Sequence, residues 1–443
     1  MDSLDARLKL FPVSTKLEYH SAYAQLAIAG CRLAELADLF GTPLYLYDRA
    51  SLDQVVSRYR NALRETYPGS TSLTYAGKAF LCLAMAQWVK QTSLCLDCSG
   101  SGELEMARIA GIERQRLLVH GVNKSPAELE RALRLAGTIV VDNLTELERI
   151  AAMSQDLNGL IPDLWLRLRP GVRVDTHPYI QTGMAESKFG MSLPEGRRAV
   201  EMCLEHGLPL TGLHFHLGSN FHEAGPVEAA LAIVLKWAAR IRSASGWQPL
   251  HLSPGGGLGI AYHESELPHP VITDFVRPVA QITARECRSR GLELPRLHLE
   301  PGRSLVAQAG VALYRVGAVK ASGERRWLLL DGGLADNPRP ALYRARYTAL
   351  PVLDPQRPNR GPAWLAGPSC ENGDVLIEGL ALPDIQPGEL LAVPMSGAYQ
   401  LGMSSNYNGA CRPAVVWLEG GKPRLIQRRE RPEDLLDRDI GLF

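Results

Sequence analysis

Residues 210–220 read LTGLHFHLGSN, residues 226–244 read PVEAALAIVLKWAARIRSA, and residues 250–260 read LHLSPGGGLGI. The first and third are short apolar runs that end in glycine and small polar residues. The second is long, with apolar residues spaced to cover one helical face, so the order is strand, helix, strand. Strands alternating with helices in this way predict βα units and a parallel sheet.

The alternation extends in both directions. Apolar runs recur at SLTYA (72–76), LLVHG (117–121), GTIVVDN (137–143), LWLRLRP (164–170) and LHLEPGRSL (297–305). Between them lie helix-period stretches such as GELEMARIAG (102–111), PAELERALRLAG (126–137), NLTELERIAAM (143–153) and PEGRRAVEMCLEHG (194–207). About eight repeats in roughly 260 residues is the size of a (β/α)8 barrel of the TIM type. After residue 305 the texture changes to short β-rich runs between Gly/Pro turns, among them VALYRVGAVKAS (311–322), GELLAVPMSG (388–397) and RPAVVWLEGG (412–421). These predict a second, antiparallel β domain, which PLYLYD (43–48) would complete. An amphipathic stretch, CRLAELADLF (31–40), stops ahead of it at Gly41 and Pro43.

Composition narrows the function classes. Lys plus Arg (48) nearly cancels Asp plus Glu (47), so no basic field calls for nucleic acid or an anionic membrane. No apolar run approaches the ~20 residues that span a bilayer. The opening MDSLDARLKLFPVS has no apolar targeting core, and a cytoplasmic protein with free thiols is expected. Of eight cysteines only Cys95 and Cys98 have C-x-x-C spacing, with no second pair to complete a zinc site, so they read as a strand end and no metal is expected.

Polar residues with chemical potential gather where the apolar runs end, and in a barrel the carboxyl ends of the strands form the active face. TYAGKAF places Lys78 just past a strand, where desolvation would favour a free amine able to form a Schiff base. GLHFHLGSN carries His214, His216 and Ser219, suited to stacking on a planar ring and to donating to a phosphate. A zinc pair and a satisfied core histidine are rival readings, the latter above all for His214. SPGGGLGI holds Gly255, Gly256, Gly257 and Gly259, whose backbone could approach a phosphate closely, helped by the positive end of a following helix. A plain tight turn is the alternative. HLEPGRSLV offers Glu300, a carboxylate able to keep a pyridine nitrogen protonated, and Arg303, able to grip a carboxylate or phosphate. In the C-terminal part stand Arg339 and Tyr343, then Cys370 and Glu371 with Asp374, then Tyr399. Cys370 could shuttle a proton or be an inert buried thiol.

Taken in order, GTPLYLYD, YAGKAF, HGVNKS, THPYIQTGMAESKFGM, HFHLGS, GGGLGI, EPGRSLV, RPALY, GPSCENGD, GAY and SSNYN resemble the fold-type III pyridoxal-5′-phosphate (PLP) decarboxylases, and among them the family acting on diaminopimelate. The resemblance runs from about residue 40 to 410. It implies a barrel over 49–308, a β domain from 1–48 and 309–443, and a homodimer whose active sites are shared between subunits. It further implies that Lys78 forms the Schiff base with PLP, His216 stacks on the ring and Glu300 pairs with the ring nitrogen. Ser219, Gly255, Gly256, Gly257, Arg303 and Tyr399 would surround the phosphate. Arg303, Arg339, Tyr343, Glu371 and Tyr399 would bind substrate, and Cys370 of the partner subunit would donate the proton. An arginine for a second carboxylate and Glu371 after the cysteine favour meso-2,6-diaminopimelate as substrate and L-lysine as product. Ornithine, arginine or a carboxylated polyamine is the alternative substrate, and a racemase or a non-catalytic PLP-binding protein the alternative role. Three departures from the family pattern stand out: Phe80, Gly100 (with Ser99 before it), and Ser253–Pro254 ahead of the glycines.

Overall fold

A computed structural model describes residues 3–20, 23–155, 161–172 and 186–442. Most of the THPYIQTGMAESKFGM stretch (176–185) lies outside the described residues. The chain divides into two compact units, 56–260 with 270–302, and 1–55 with 261–269 and 303–443. Residues 49–55, 261–269 and 303–308, inside the expected barrel span, are thus grouped with the β unit.

In the first unit eight strands close into a barrel: Thr71–Ala76, Cys95–Cys98, Leu117–Val119, Thr138–Val141, Asp163–Arg167, Leu210–His214, His251–Ser253 and Arg296–Leu299. Each pairs in parallel with its neighbour, and the last returns to the first through Leu299 and Leu73. Because all strands run the same way, the residues just past their carboxyl ends share one rim. Lys78, His120, Asp142, His216, Gly255 and Glu300 are such residues. The helices between strands start where the local chemistry says they should. Ser125 with Glu128 and Ser192 with Glu195 form reciprocal capping boxes at Pro126–Leu135 and Leu193–Glu205. Cys95 and Cys98 fall on one strand, half-buried and buried respectively, and an odd spacing along a strand turns them to opposite faces.

The barrel interior carries an aromatic layer. Trp165 stacks on His251 with ring centroids 5.3 Å apart and meets His298 edge-on at 4.5 Å, while His251 Nδ1 lies 2.9 Å from His298 Nε2. A Cβ at Gly212 would sit 2.6 Å from the Trp165 ring, so glycine is what lets the indole pack there. His298 is pushed down to about 3, first by burial and then by His251, with Glu300 pulling the other way. A histidine whose folded-state value lies below its unfolded value of about 6.5 stabilises fully above that unfolded value and loses the contribution as pH falls towards the folded one. The urea midpoint should therefore fall between about pH 7 and about pH 5, and fall less in His298→Phe. Equal falls in the two proteins would remove His298 as a source of acid sensitivity.

The second unit is built on a mixed sheet. Its strand order is Val375–Leu382, Gly361–Ala366, Arg325–Leu330, Gly310–Ser322, Leu44–Asp48, Ala414–Glu419, Lys422–Gln427, with Leu390–Val393 also paired to Gly310–Ser322. Most pairs are antiparallel as expected. Leu44–Asp48, however, runs parallel to Ala414–Glu419, and Arg325–Leu330 runs parallel to Gly361–Ala366. Each parallel partner arrives through a long connection, as parallel pairing requires. Leu44–Asp48 is buried along its whole length, which explains why PLYLYD reads as a continuous apolar run rather than an alternating one. A three-stranded sheet, Lys16–His20, Tyr23–Ile28 and Cys31–Arg32, precedes the helix Leu33–Phe40, which ends at Gly41 with φ +71°. Phe11, Leu26, Leu33, Leu36, Leu46, Val311, Val352 and Val416 pack together as part of this unit's core.

Candidate active site

The barrel rim centres on Glu300, 7% exposed. Its Oε1 accepts from Ser253 Oγ at 2.6 Å, and its Oε2 lies 3.2 Å from His214 Nε2 and 3.8 Å from His120 Nε2. Burial alone would raise the Glu300 carboxyl. The pull of His214 and His120, with the hydrogen bonds from His214 and Ser253, outweighs it and holds the group well below the usual carboxylate range. Burial pushes His120 and His214 down while the Glu300 carboxylate pulls both up. His214, for which a core role was the plainer reading, is therefore a partner of this carboxylate. The His120, His214 and Glu300 ligand atoms lie within 4.8 Å of one another, and of these contacts only that of His214 with Glu300 is at hydrogen-bond distance.

Lys78 stands in a short 3-10 turn, Gly77–Ala79, where a Cβ at Gly77 would meet the Asp97 carbonyl oxygen at 2.8 Å. Lys78 is exposed, and its charge acts on Asp97, His120, His214 and His216 of the rim. Asp97, 3% exposed, is raised well above the usual range by burial, with the Lys78 charge opposing. His216 is half-buried and lowered, first by burial and then by Lys78. A Cβ at Gly255 would lie 2.6 Å from His216 Nδ1, one at Gly256 2.3 Å from the Glu300 carbonyl oxygen, and one at Gly257 2.5 Å from Phe221. With φ +76° at Gly255 and +117° at Gly257, the loop is one that only glycine forms without strain. No helix opens directly behind it. The next α-helix starts at Ile272, so backbone N–H groups rather than a helix end are what this loop offers an anion. Ser219, half-buried, follows His216 in the strand-end loop.

A second cluster lies within the β unit. Arg303 Nη1 donates to Tyr262 Oη at 2.6 Å, and its guanidinium sits 4.9 Å from the Tyr399 ring centre. Arg339 donates to Tyr347 Oη and stacks 4.3 Å over Tyr262. Tyr262 and Tyr347 meet edge-on at 5.5 Å, between the two arginines. Tyr399 adopts φ +58°, a conformation costly for a bulky residue and one that clusters at functional sites. Tyr343 ends the short helix that Arg339 begins and is half-buried.

Cys370 and Glu371 are exposed, which removes the reading of an inert buried thiol. Asp374 is the anchor beneath them. It accepts from Leu334 N at 2.7 Å and Ser369 N at 2.9 Å, and a Cβ at Gly367 would strike it at 2.3 Å.

Sequence reasoning assigned no role to His120, Asp97, Tyr262 or Tyr347. His120 lay inside HGVNKS and Tyr347 four residues beyond Tyr343, so adjacency to marked motifs was the available signal. Of the departures, Gly100 precedes the helix Ser101–Ala110, where an added Cβ meets nothing within 4 Å and Glu103 reaches back to Ser99 N instead. The rim keeps Asp97 Oδ1, His120 Nε2 and His214 Nδ1 buried without a hydrogen-bond partner among the described residues. Unmatched polar atoms beside an ionised carboxylate, a glycine loop and an exposed lysine fit a planar, phosphorylated cofactor with a protonated ring nitrogen.

The family profile described as "Pyridoxal-dependent decarboxylase, pyridoxal binding domain" matches residues 52–307. The chain is 38% identical to the diaminopimelate decarboxylase of Halalkalibacterium halodurans over 422 residues, 94% of this chain and 95% of that protein. It is also 38% identical to that of Bacillus subtilis over 424 residues, 94% and 96% of the two chains. The crystal structure of the diaminopimelate decarboxylase of M. jannaschii in complex with L-lysine superposes with a TM-score of 0.89 at 28% identity, covering 97% of this chain and 98% of that one. The chain belongs to the pyridoxal-dependent decarboxylases and, within them, to the diaminopimelate decarboxylase family.

Proposed function

We infer that this enzyme uses PLP to decarboxylate meso-2,6-diaminopimelate to L-lysine and CO2. The observation that carries the substrate choice is Arg339. It is 5% exposed and has aromatic rings, but no carboxylate, as partners among the described residues. A buried cation without an anion is costly, and a substrate's second carboxylate would supply one.

Bound PLP supplies an electron sink for the pair left when CO2 departs. Lys78 would hold the cofactor through its amine. Glu300, held ionised, would keep the cofactor's ring nitrogen protonated, and His216 would lie against the ring. Ser219, Gly255, Gly256 and Gly257, with Arg303 and Tyr399, hold the phosphate. Arg303, Arg339, Tyr343 and Tyr399 orient the substrate by its distal carboxylate, and Glu371 receives the distal amine. Cys370 gives its thiol proton to the α-carbon as the C–C bond to CO2 is lost. The exposure of Cys370 and Glu371 on an anchored turn supports a homodimer in which this turn serves the partner's site. No helix among the described residues is long and apolar enough to cross a membrane, and all eight cysteines are free. A reducing cytoplasmic location fits that thiol content.

The test is CO2 release by the PLP-loaded protein from meso-diaminopimelate, L-ornithine, L-arginine and L-lysine. Preference for meso-diaminopimelate is expected, and preference for another amino acid would overturn the substrate. In Arg339→Leu, kcat/KM for meso-diaminopimelate should drop by about 10- to 100-fold, the worth of a hydrogen bond to a charged group. An unchanged value would show that the carboxylate is received elsewhere.

A further inference from the structure

Ser253 is one of the positions where this chain departs from the family pattern, and it is fully buried. Its hydroxyl does two things at once. It donates to Glu300 Oε1 at 2.6 Å and accepts from the backbone N–H of Gly255 at 3.1 Å. Gly255 is tied to the same residue a second way, because its carbonyl accepts from Glu300 N at 3.0 Å. The strand end is itself held in place, with Phe215 N donating to the Ser253 carbonyl at 2.9 Å.

We propose that Ser253 is a positioning residue that couples the glycine loop to the Glu300 carboxylate, so that the phosphate end and the ring-nitrogen end of the cofactor site are set by one hydroxyl. The inference rests on the PLP reading above. Its physical basis is rotational. A carboxylate held through one oxygen can turn about its terminal bond, whereas Glu300 is held through both, by Ser253 on Oε1 and His214 on Oε2. The remaining lone pairs then point in fixed directions. The serine also accepts the Gly255 N–H, which fixes the peptide plane at the start of the loop with φ +76°. Removing the hydroxyl would free the carboxylate and release that N–H together.

The experiment titrates apo-protein with PLP and follows the visible absorbance of the bound cofactor and its pH dependence. Five proteins are compared: wild type, Ser253→Ala, Ser253→Cys, Glu300→Gln and the Ser253→Ala/Glu300→Gln double variant, which closes a cycle. Alanine removes the hydroxyl, and cysteine keeps nearly the volume but is a weak donor. Both should raise the half-saturating PLP concentration about tenfold, equivalent to ~1.4 kcal/mol, and shift the pH midpoint of the visible band. In the Glu300→Gln background the alanine change should add less than about twofold, since the two side chains act as one unit. Should the alanine variant not fold, the near-isosteric cysteine variant carries the same comparison. Wild-type affinity and pH midpoint in the cysteine variant, or a full tenfold loss in the Glu300→Gln background, would overturn the proposal. Absence of saturable PLP binding by wild type would instead overturn the cofactor reading.

Discussion

Lys78→Ala should abolish steady-state decarboxylation, a loss on the order of 10³-fold or more, as expected when the nucleophilic amine is removed. The structure makes this a clean test. Lys78 is exposed on a 3-10 turn held by backbone packing at Gly77, so its side chain contributes little to the fold. Exposed substitutions away from special backbone positions usually change stability by about 0.5 kcal/mol or less. The variant should unfold at the wild-type denaturant midpoint, retain PLP only as a dissociable ligand, and lose the cofactor's lysine-linked visible absorbance. Multiple turnovers of CO2 release by the alanine variant would end the assignment of Lys78.

Glu300→Gln should lower kcat by roughly 10²- to 10³-fold, the scale of losing one preorganised electrostatic partner of a reacting group, with a smaller change in KM. Glutamine preserves shape and can still meet Ser253 and His214, but it carries no charge to keep a ring nitrogen protonated. The surroundings are built for the ionised form: His214, His120 and Ser253 together overcome the burial that would otherwise raise this carboxyl. A barrel rim that commits three buried polar side chains to one carboxylate has little other use for them. Wild-type kcat in the glutamine variant would show that the electron sink does not depend on Glu300, and the arrangement would then be structural.

The period of the hydrophobic pattern carried most of the fold. Short apolar runs alternating with helix-length segments from SLTYA to LHLEPGRSL specify parallel strands, and the rim residues follow because every run ends in the same direction. Lys78, His216, Glu300 and the three glycines are legible for that reason: each sits immediately past an apolar run, where local order in the chain already implies position in space. The continuous burial of Leu44–Asp48 is likewise visible in its composition, although its place between Gly310–Ser322 and Ala414–Glu419 is not.

What only the tertiary structure decided are the pairings between residues far apart in the chain. Ser253 and Glu300 are 47 positions apart and His214 and Glu300 86, and no local pattern announces that their side chains meet. Nor does one announce that Tyr262 meets both Arg303 and Arg339, or that Asp374 accepts from Ser369 N beside Cys370. Exposure was equally hidden, since an apolar run followed by GKAF reads as a site for a desolvated lysine, whereas Lys78 on its 3-10 turn is exposed. The sequence by itself determined which elements form and which ends they present, because periodicity and capping act over a few residues. The tertiary structure decided how those ends share hydrogen bonds and charge, because barrel closure and sheet register bring together groups whose separation along the chain is unrelated to their separation in space.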